Sequence, residues 1–347
     1  MPFKESDIAQ FTTIFGRSLL PEVANFVRPK MLVVTMEDLW PLFRGSLPAD
    51  AIPYMVRSMD RAALEADFAT LGDVASVVGL GGGQSIDAAK YFAWRLNLPL
   101  FQFPTSLSVD AAFGHRAAVR DGGVVKYVGW AVPEAVYIDL DIIEAAPRAL
   151  NIAGVGDVFC FITGVMDWRY AEARGKCEPR WPYDESLAAI SLAKAEAALA
   201  ELDEVKALSP RGIRIMVDAL KWGGASFHGA GWNPRHIEGV EHYIFYALEA
   251  GTGKSFLHGQ AVCLGLVLGA MMHGQRLDEL LGAVTHLGID IRPAAMDVIW
   301  SDVFDAMRGL KAFVEREGLA YGIANDFDVT EEFLNAARSR IESAFTA

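Results

Sequence analysis

The amino-acid sequence predicts an α/β domain over residues 1–150, built on a parallel sheet, followed by an all-α domain over residues 151–347. Three observations carry this expectation. Short apolar runs alternate with helical segments in the first part, which is the pattern of a parallel sheet covered on both faces. From about Pro147 β-branched runs become scarce and apolar residues recur at three and four, the spacing of helices. The chain of 347 residues is long enough for two domains of ordinary size, each with a sizeable core.

The elements follow in order. Met31 to Thr35 reads as a strand and Arg61 to Thr70 as a helix. Val74 to Val78 is a buried strand, and Ser85 to Trp94 has helix formers and no breaker. Leu100 to Phe103 and Ala135 to Ile138 complete the parallel strands. Between them, Arg116 to Arg120 and Val124 to Val128 flank Asp121-Gly122-Gly123, a hairpin with a glycine-bearing turn that can border a site as a flap. In the second part, Leu187 to Leu202, Leu277 to Leu287, Val303 to Glu317 and Glu331 to Phe345 have helical character. Ala261 to Met272, the longest apolar stretch, falls short of the roughly 20 residues that span a bilayer and reads as a core helix.

The most informative stretch is Val77 to Lys90. An apolar strand runs into Gly79, Gly81, Gly82 and Gly83, and a helix follows from Ser85. Such a turn lets backbone N–H groups approach an anion, and the helix dipole adds partial positive charge. A phosphate or pyrophosphate is the natural guest; a close-packed turn without ligand is the alternative. The usual dinucleotide fingerprint is not met, because Gln84 stands where its third glycine would be and no acid lies about 20 residues on. No Gly-Lys-Ser/Thr follows, which excludes a Walker loop.

Net charge is −13, which argues against a nucleic-acid partner. The same charge argues for a soluble, non-membrane protein, and the N-terminal MPFKESDIAQF lacks an apolar signal region. Cys160, Cys177 and Cys263 form no Cys-x-x-Cys pair, and an odd count suits a reducing cytoplasm.

Metal-type chemistry gathers at three places in the helical half. Asp157 follows Gly154-Val155-Gly156 near the start of an apolar helix; His242 lies in Glu241-His242-Tyr243; His258 opens the helix containing Ala261 to Met272. A carboxylate and two imidazoles can hold a divalent metal with a position left open for catalysis. Each has a plainer alternative: an N-cap for Asp157, a satisfied core histidine for His242, a helix-start residue for His258. His273 and His286 fit helix faces and take no role. His228 and His236 fall in or beside a loop read over Ala225 to Arg235, where either can contact substrate or support the ligands. The segment Phe103 to Asp110 follows a strand at its carboxyl end, where α/β sheets place ligands. Within it, Thr105 and Ser108 can donate to a phosphate or ribose, and Asp110 can bind a polyol hydroxyl or move a proton. An ordinary turn explains Ser and Asp there equally well.

Together these motifs resemble the superfamily of glycerol dehydrogenases, glycerol-1-phosphate dehydrogenases, iron-type alcohol dehydrogenases and dehydroquinate synthases. The resemblance is carried by Gly81-Gly82-Gly83 with Asp87 and Lys90, Pro104-Thr105 with Asp110, Gly156-Asp157, His242, and His258-Gly259. It is strongest to the glycerol-1-phosphate dehydrogenase family, through Pro104 to Asp110, Ala153 to Asp157 with Asp167-Trp168, and Glu241-His242 with Leu257-His258-Gly259. It weakens after about residue 290. The resemblance implies a Rossmann-like domain followed by a helical domain, as in dehydroquinate synthases. It places NAD or NADP on Gly81, Gly82, Gly83, Ser85 and Asp87, with Thr105, Ser106 and Ser108 beside it. It places a divalent metal, Zn²⁺ first and Fe²⁺ or Ni²⁺ as alternatives, on Asp157, His242 and His258. Asp110 would lie at the substrate.

The implied reaction is hydride transfer between a small polyol, or its phosphate, and the nicotinamide, in a cleft between the domains and in a homodimeric enzyme. Glu37, just past the Thr35 strand end, can bind the adenosine ribose hydroxyls and favour NAD. Arg116, Lys126 and Arg235 are candidates for a substrate phosphate. There are departures from the family pattern. Ala111 to Arg116 replaces an Asp-Gly…Ala-Ser-Pro run, and Glu238-Gly239-Val240 replaces Ser-Gly-Ser ahead of Glu-His. A sugar-phosphate cyclase of the dehydroquinate synthase type is the second expectation, and a non-catalytic nucleotide sensor the third.

Overall fold

The computed structural model describes residues 3–7, 11–25, 27, 30–122 and 124–346. Among these are eight strands: β1 (Thr12–Gly16), β2 (Met31–Thr35), β3 (Ile52–Met55), β4 (Ser76–Gly81), β5 (Leu100–Pro104), β6 (Ala117–Asp121), β7 (Val124–Val128) and β8 (Ala135–Asp139). Six pair in the order β1-β8-β5-β4-β2-β3, all parallel. The remaining two, β6 and β7, form an antiparallel hairpin.

Alternation across β2 and β4 explains why those strands read as continuous apolar runs. Leu32, Val34 and Val77 face one core with Ala88, Ala89 and Phe92 of the helix Gly83–Leu96. Met31, Val33, Val78 and Leu80 face the other, against Leu20, Val23 and Leu47. A parallel sheet buried on both faces has no polar side to show. The hairpin is not a free flap: Ala117 and Val119 of β6 are buried in the first of these cores. Gly123 of its turn lies outside the described residues.

Two edge strands, β1 and β3, were not expected. Both are short and partly exposed, so neither carries the unbroken apolar signal of β2 or β4. The helix after β4 starts at Gly83, two residues ahead of the expected Ser85, and ends at Asn97 in the left-handed conformation.

The chain divides into two compact units. A sheet unit holds Ala9–Asn151 with Gly224–His228, and a helical unit holds Ile152–Gly223 and Gly229–Ala347 with Met1–Ile8. In the helical unit the helices Gly156–Glu172, Val240–Thr252 and His258–His273 pack on one another; Glu185–Ala200, Leu277–Leu287 and Trp300–Glu317 pack against them, and Glu331–Ala344 packs on Leu277–Leu287. The helix Pro210–Gly229 corrects the first part of the loop read over Ala225 to Arg235: residues 225 to 229, His228 among them, are helical, and residues 230 to 235 are not. Arg148–Glu172 is apolar and long enough to cross a membrane, but 83% of its apolar window is buried inside the protein, as in a core helix.

Candidate active site

The glycine turn is built from strand β4. Gly81 has φ +155°, a conformation open to glycine, and a Cβ there would strike the Ser85 hydroxyl. The Gly81 carbonyl accepts from the Thr105 N–H at 3.0 Å, joining the ends of β4 and β5. Gly82 stands at the N-cap of the helix Gly83–Leu96 and offers no side-chain acceptor to its first-turn N–H groups. Gly81, Gly82 and Gly83 line a small open groove with Pro104, Ser106 and Ser108. The hydroxyls of Ser106 and Ser108 lie 3.2 Å apart. Ser85 is fully buried behind Gly81 rather than opening onto the groove. Asp87 is also turned inward: its carboxylate meets the Lys90 ammonium at 2.7 Å, and burial pushes its pKa up. Lys90 in turn donates to the Ala111 carbonyl at 2.9 Å. Asp110 opens a short 3-10 turn after the Ser106–Ser108 loop and is partly buried. Glu37 is exposed just beyond β2.

In the helical unit, Asp157, His242 and His258 converge. Each offers a donor atom, and the three atoms lie within 4.8 Å of one another. The Asp157 Oδ1 is 2.9 Å from His258 Nε2 and 3.8 Å from His242 Nε2. Asp157 stands in the first turn of Gly156–Glu172, His242 in the first turn of Val240–Thr252, and His258 opens its own helix. Glycines let these helix starts meet. A Cβ on Gly156 would stand 2.5 Å from the Gly259 carbonyl oxygen, and one on Gly265 would strike the Glu241 carbonyl. Phe245 packs edge-on against the His258 ring at 4.9 Å.

Glu241 was quoted in the sequence only as the neighbour of His242; the structure gives it a task. It is fully buried, and its carboxylate accepts from Gly239 N at 2.7 Å, Thr163 Oγ1 at 2.7 Å and His242 Nδ1 at 2.9 Å. In the neutral imidazole, a proton held on Nδ1 leaves Nε2 as the lone-pair nitrogen that faces Asp157. Burial works against a charge on His242. The hydrogen bond to Glu241 and the fields of Glu238, Glu241 and Asp157 outweigh it and raise the imidazole to about 9. A concentration of carboxylates around two imidazoles is what a cation site requires. Cys160 also lies within reach of Glu241 and His242, but its thiol donates to the Ile237 carbonyl at 2.9 Å.

The other sequence candidates divide. Arg235 is buried, donates to the Asp167 carbonyl at 3.2 Å and sits 3.8 Å from Glu178, so it is an internal cation rather than an open phosphate anchor. Lys126 is exposed on β7 and Arg116 is half-buried. His236 is fully buried, and desolvation lowers it to about 3. The His228 ring lies 4.0 Å from Trp130.

Residues 44–147 match the family model of iron-containing alcohol dehydrogenases. The glycerol-1-phosphate dehydrogenase [NAD(P)+] of Aeropyrum pernix is 31% identical over 271 residues, covering 76% of this chain and 75% of that protein. A probable glycerol dehydrogenase from Sinorhizobium meliloti shares the fold with a TM-score of 0.69 over 97% of this chain and 99% of the other, at 18% identity. A 2-epi-5-epi-valiolone synthase from Streptomyces hygroscopicus, solved with NAD+ and Zn2+ bound, does so at 0.62 over 99% of each, at 16% identity. With the glycine turn and the Asp-His-His cluster in place, this chain belongs to the glycerol-1-phosphate dehydrogenase family, within the iron-containing alcohol dehydrogenases.

Proposed function

We propose that the chain is an NAD(P)-linked dehydrogenase that interconverts the secondary alcohol of a small polyol or polyol phosphate, of the glycerol 1-phosphate type, with its ketone. The observation that carries this is the Asp157-His242-His258 cluster, whose His242 tautomer is set by a buried carboxylate. A divalent metal held there supplies Lewis acidity, lowering the pKa of a substrate hydroxyl or polarising a ketone. Two imidazoles and one carboxylate suit Zn²⁺ with an open position, and we assign zinc on that donor set.

Gly81, Gly82 and Gly83 would cradle the cofactor pyrophosphate at the helix start, with Ser106 and Ser108 beside it; the nicotinamide carries the hydride. Glu37 would bind the adenosine ribose hydroxyls and favour NAD over NADP. Asp110 would accept a hydrogen bond from a polyol hydroxyl. Asp157 provides the anionic donor, and Glu241 keeps His242 in the coordinating tautomer. A reducing, cytoplasmic setting is part of the reading, on the odd count of three cysteines in the sequence. A homodimer is part of the reading on family resemblance.

The test is NAD(P)H absorbance with sn-glycerol 1-phosphate, glycerol and dihydroxyacetone phosphate, before and after chelation. Substrate-dependent, chelator-sensitive change is expected. Turnover without net change in NAD(P)H, or full activity in His258→Ala, would sink the assignment.

A further inference from the structure

We infer that Asp167 is a positioning residue for the metal cluster, acting by capping the helix that carries His242; the inference rests on the metal reading above. The helix Val240–Thr252 starts at Gly239, which has no side chain to cap it. Its first N–H groups need acceptors from elsewhere. Asp167, 73 residues away in sequence, supplies one: its Oδ2 accepts from Val240 N at 2.6 Å in a buried environment. The other oxygen, Oδ1, accepts from Ile323 N at 2.8 Å and lies 3.1 Å from His273 Nε2. One carboxylate, 1% exposed, thus ties three segments of the helical unit to the helix Gly156–Glu172.

The geometry is tight on both sides. A Cβ on Gly239 would stand 2.8 Å from Asp167 Oδ2, and one on Gly322 would stand 2.6 Å from Oδ1. Below the same loop, a Cβ on Gly164 would stand 2.9 Å from the Glu238 nitrogen. Positions 157, 164 and 167 recur at seven and three, so Asp157, Gly164 and Asp167 share one face of a single helix. That helix presents a metal ligand at its start. Three turns further on, it grips the N-terminus of the helix whose first turn holds Glu241 and His242. The Asp157-to-His242 separation is therefore set by a rigid rod and a buried cap. His242 is two residues past Val240, so any fraying of that first turn moves the imidazole directly. Aspartate is needed because a backbone donor faces each of its oxygens, Val240 N at Oδ2 and Ile323 N at Oδ1; an asparagine amide would point its N–H₂ at one of them.

The experiment is Co²⁺ titration of the metal-free full-length protein. It is followed by the visible ligand-field spectrum and by the dissociation constant, for wild type, Asp167→Asn, Gly239→Ala and His258→Ala. Asp167→Asn is expected to weaken Co²⁺ binding roughly 10- to 100-fold, the range for groups that orient ligands. It should also alter the band shape at saturating Co²⁺, which a loss of global stability alone would not do. Gly239→Ala, which keeps Asp167 but crowds its cap, should move both readouts the same way if Asp167→Asn fails to fold. Folded variants with wild-type affinity and spectrum would overturn the inference while leaving the cluster intact. Wild-type protein that takes up no Co²⁺, or His258→Ala that binds it unchanged, would instead remove the metal reading and this inference with it.

Discussion

Replacing Glu241 by glutamine separates what its charge does from what its shape does. The wild-type carboxylate accepts three hydrogen bonds, from Gly239 N, Thr163 Oγ1 and His242 Nδ1. Glutamine is the same size. Its carbonyl oxygen can keep the bonds to Gly239 and His242, and its N–H₂ can donate to Thr163 once that hydroxyl rotates to accept. The three wild-type donors keep a partner but the second amide N–H enters a fully buried site without one, so folding stability should fall by about 1–3 kcal/mol. The lost negative charge is a different matter. It supported the basicity of His242 and offset a cation about one imidazole away. Comparable supporting groups are worth roughly 10- to 100-fold in metal affinity, about 1.4–2.7 kcal/mol. Alanine at the same position would leave three buried donors unpaired, at about 1–3 kcal/mol each, and should unfold the region. The assay is Zn²⁺ affinity by chelator competition beside urea unfolding of the metal-free protein. Glutamine should lower affinity in a protein that still folds, with an unfolding midpoint far less reduced than that of the alanine variant. Equal Zn²⁺ affinity in a folded Glu241→Gln protein would refute the argument that this carboxylate tunes the cluster.

Gly81→Ala forces a side chain into φ +155° and against Ser85, so a loss of about 1–3 kcal/mol is expected, with dinucleotide affinity by fluorescence down at least tenfold. Unaltered nucleotide binding would argue against the turn as the cradle. Exchanging Glu37 for serine should raise the ratio of NADP to NAD turnover, measured as kcat/KM for each; no change would free Glu37 from the ribose. His236 supplies a pH prediction. Burial lowers it to about 3 from its ordinary value near 6.5, so the unfolded chain binds the proton more readily. Stability is therefore full above about pH 6.5 and is lost as pH falls toward 3, by about 2 kcal/mol at pH 5. Urea midpoints at pH 7.5 and 5 should diverge less in His236→Gln than in wild type; identical divergence would contradict the assignment.

How much was legible in advance follows from the range of the forces involved. The strand β2, the helix Leu277–Leu287 and the glycine turn depend on local periodicity and backbone sterics, which neighbouring residues display. Edge strands β1 and β3 were invisible because half-exposed strands lack an unbroken apolar run. The helix Pro210–Gly229 was read in part as loop because glycines that serve close packing look like breakers; a Cβ on Gly224 would stand 2.6 Å from the Gly114 nitrogen. Asp157, His242 and His258 could be nominated from composition and resemblance, but nothing in their spacing says that their donor atoms come within 4.8 Å.

By itself, the sequence determined the two classes of secondary structure, the glycine-rich strand-to-helix turn and the residue types able to hold a metal. Tertiary structure alone decided the rest. Glycine contacts at Gly156, Gly259 and Gly265 brought three helix starts together; Glu241 chose the tautomer of His242; Asp87 and Arg235 were withdrawn into internal ion pairs. These outcomes depend on which distant backbone groups need partners once water is excluded, and that need exists only in the folded chain.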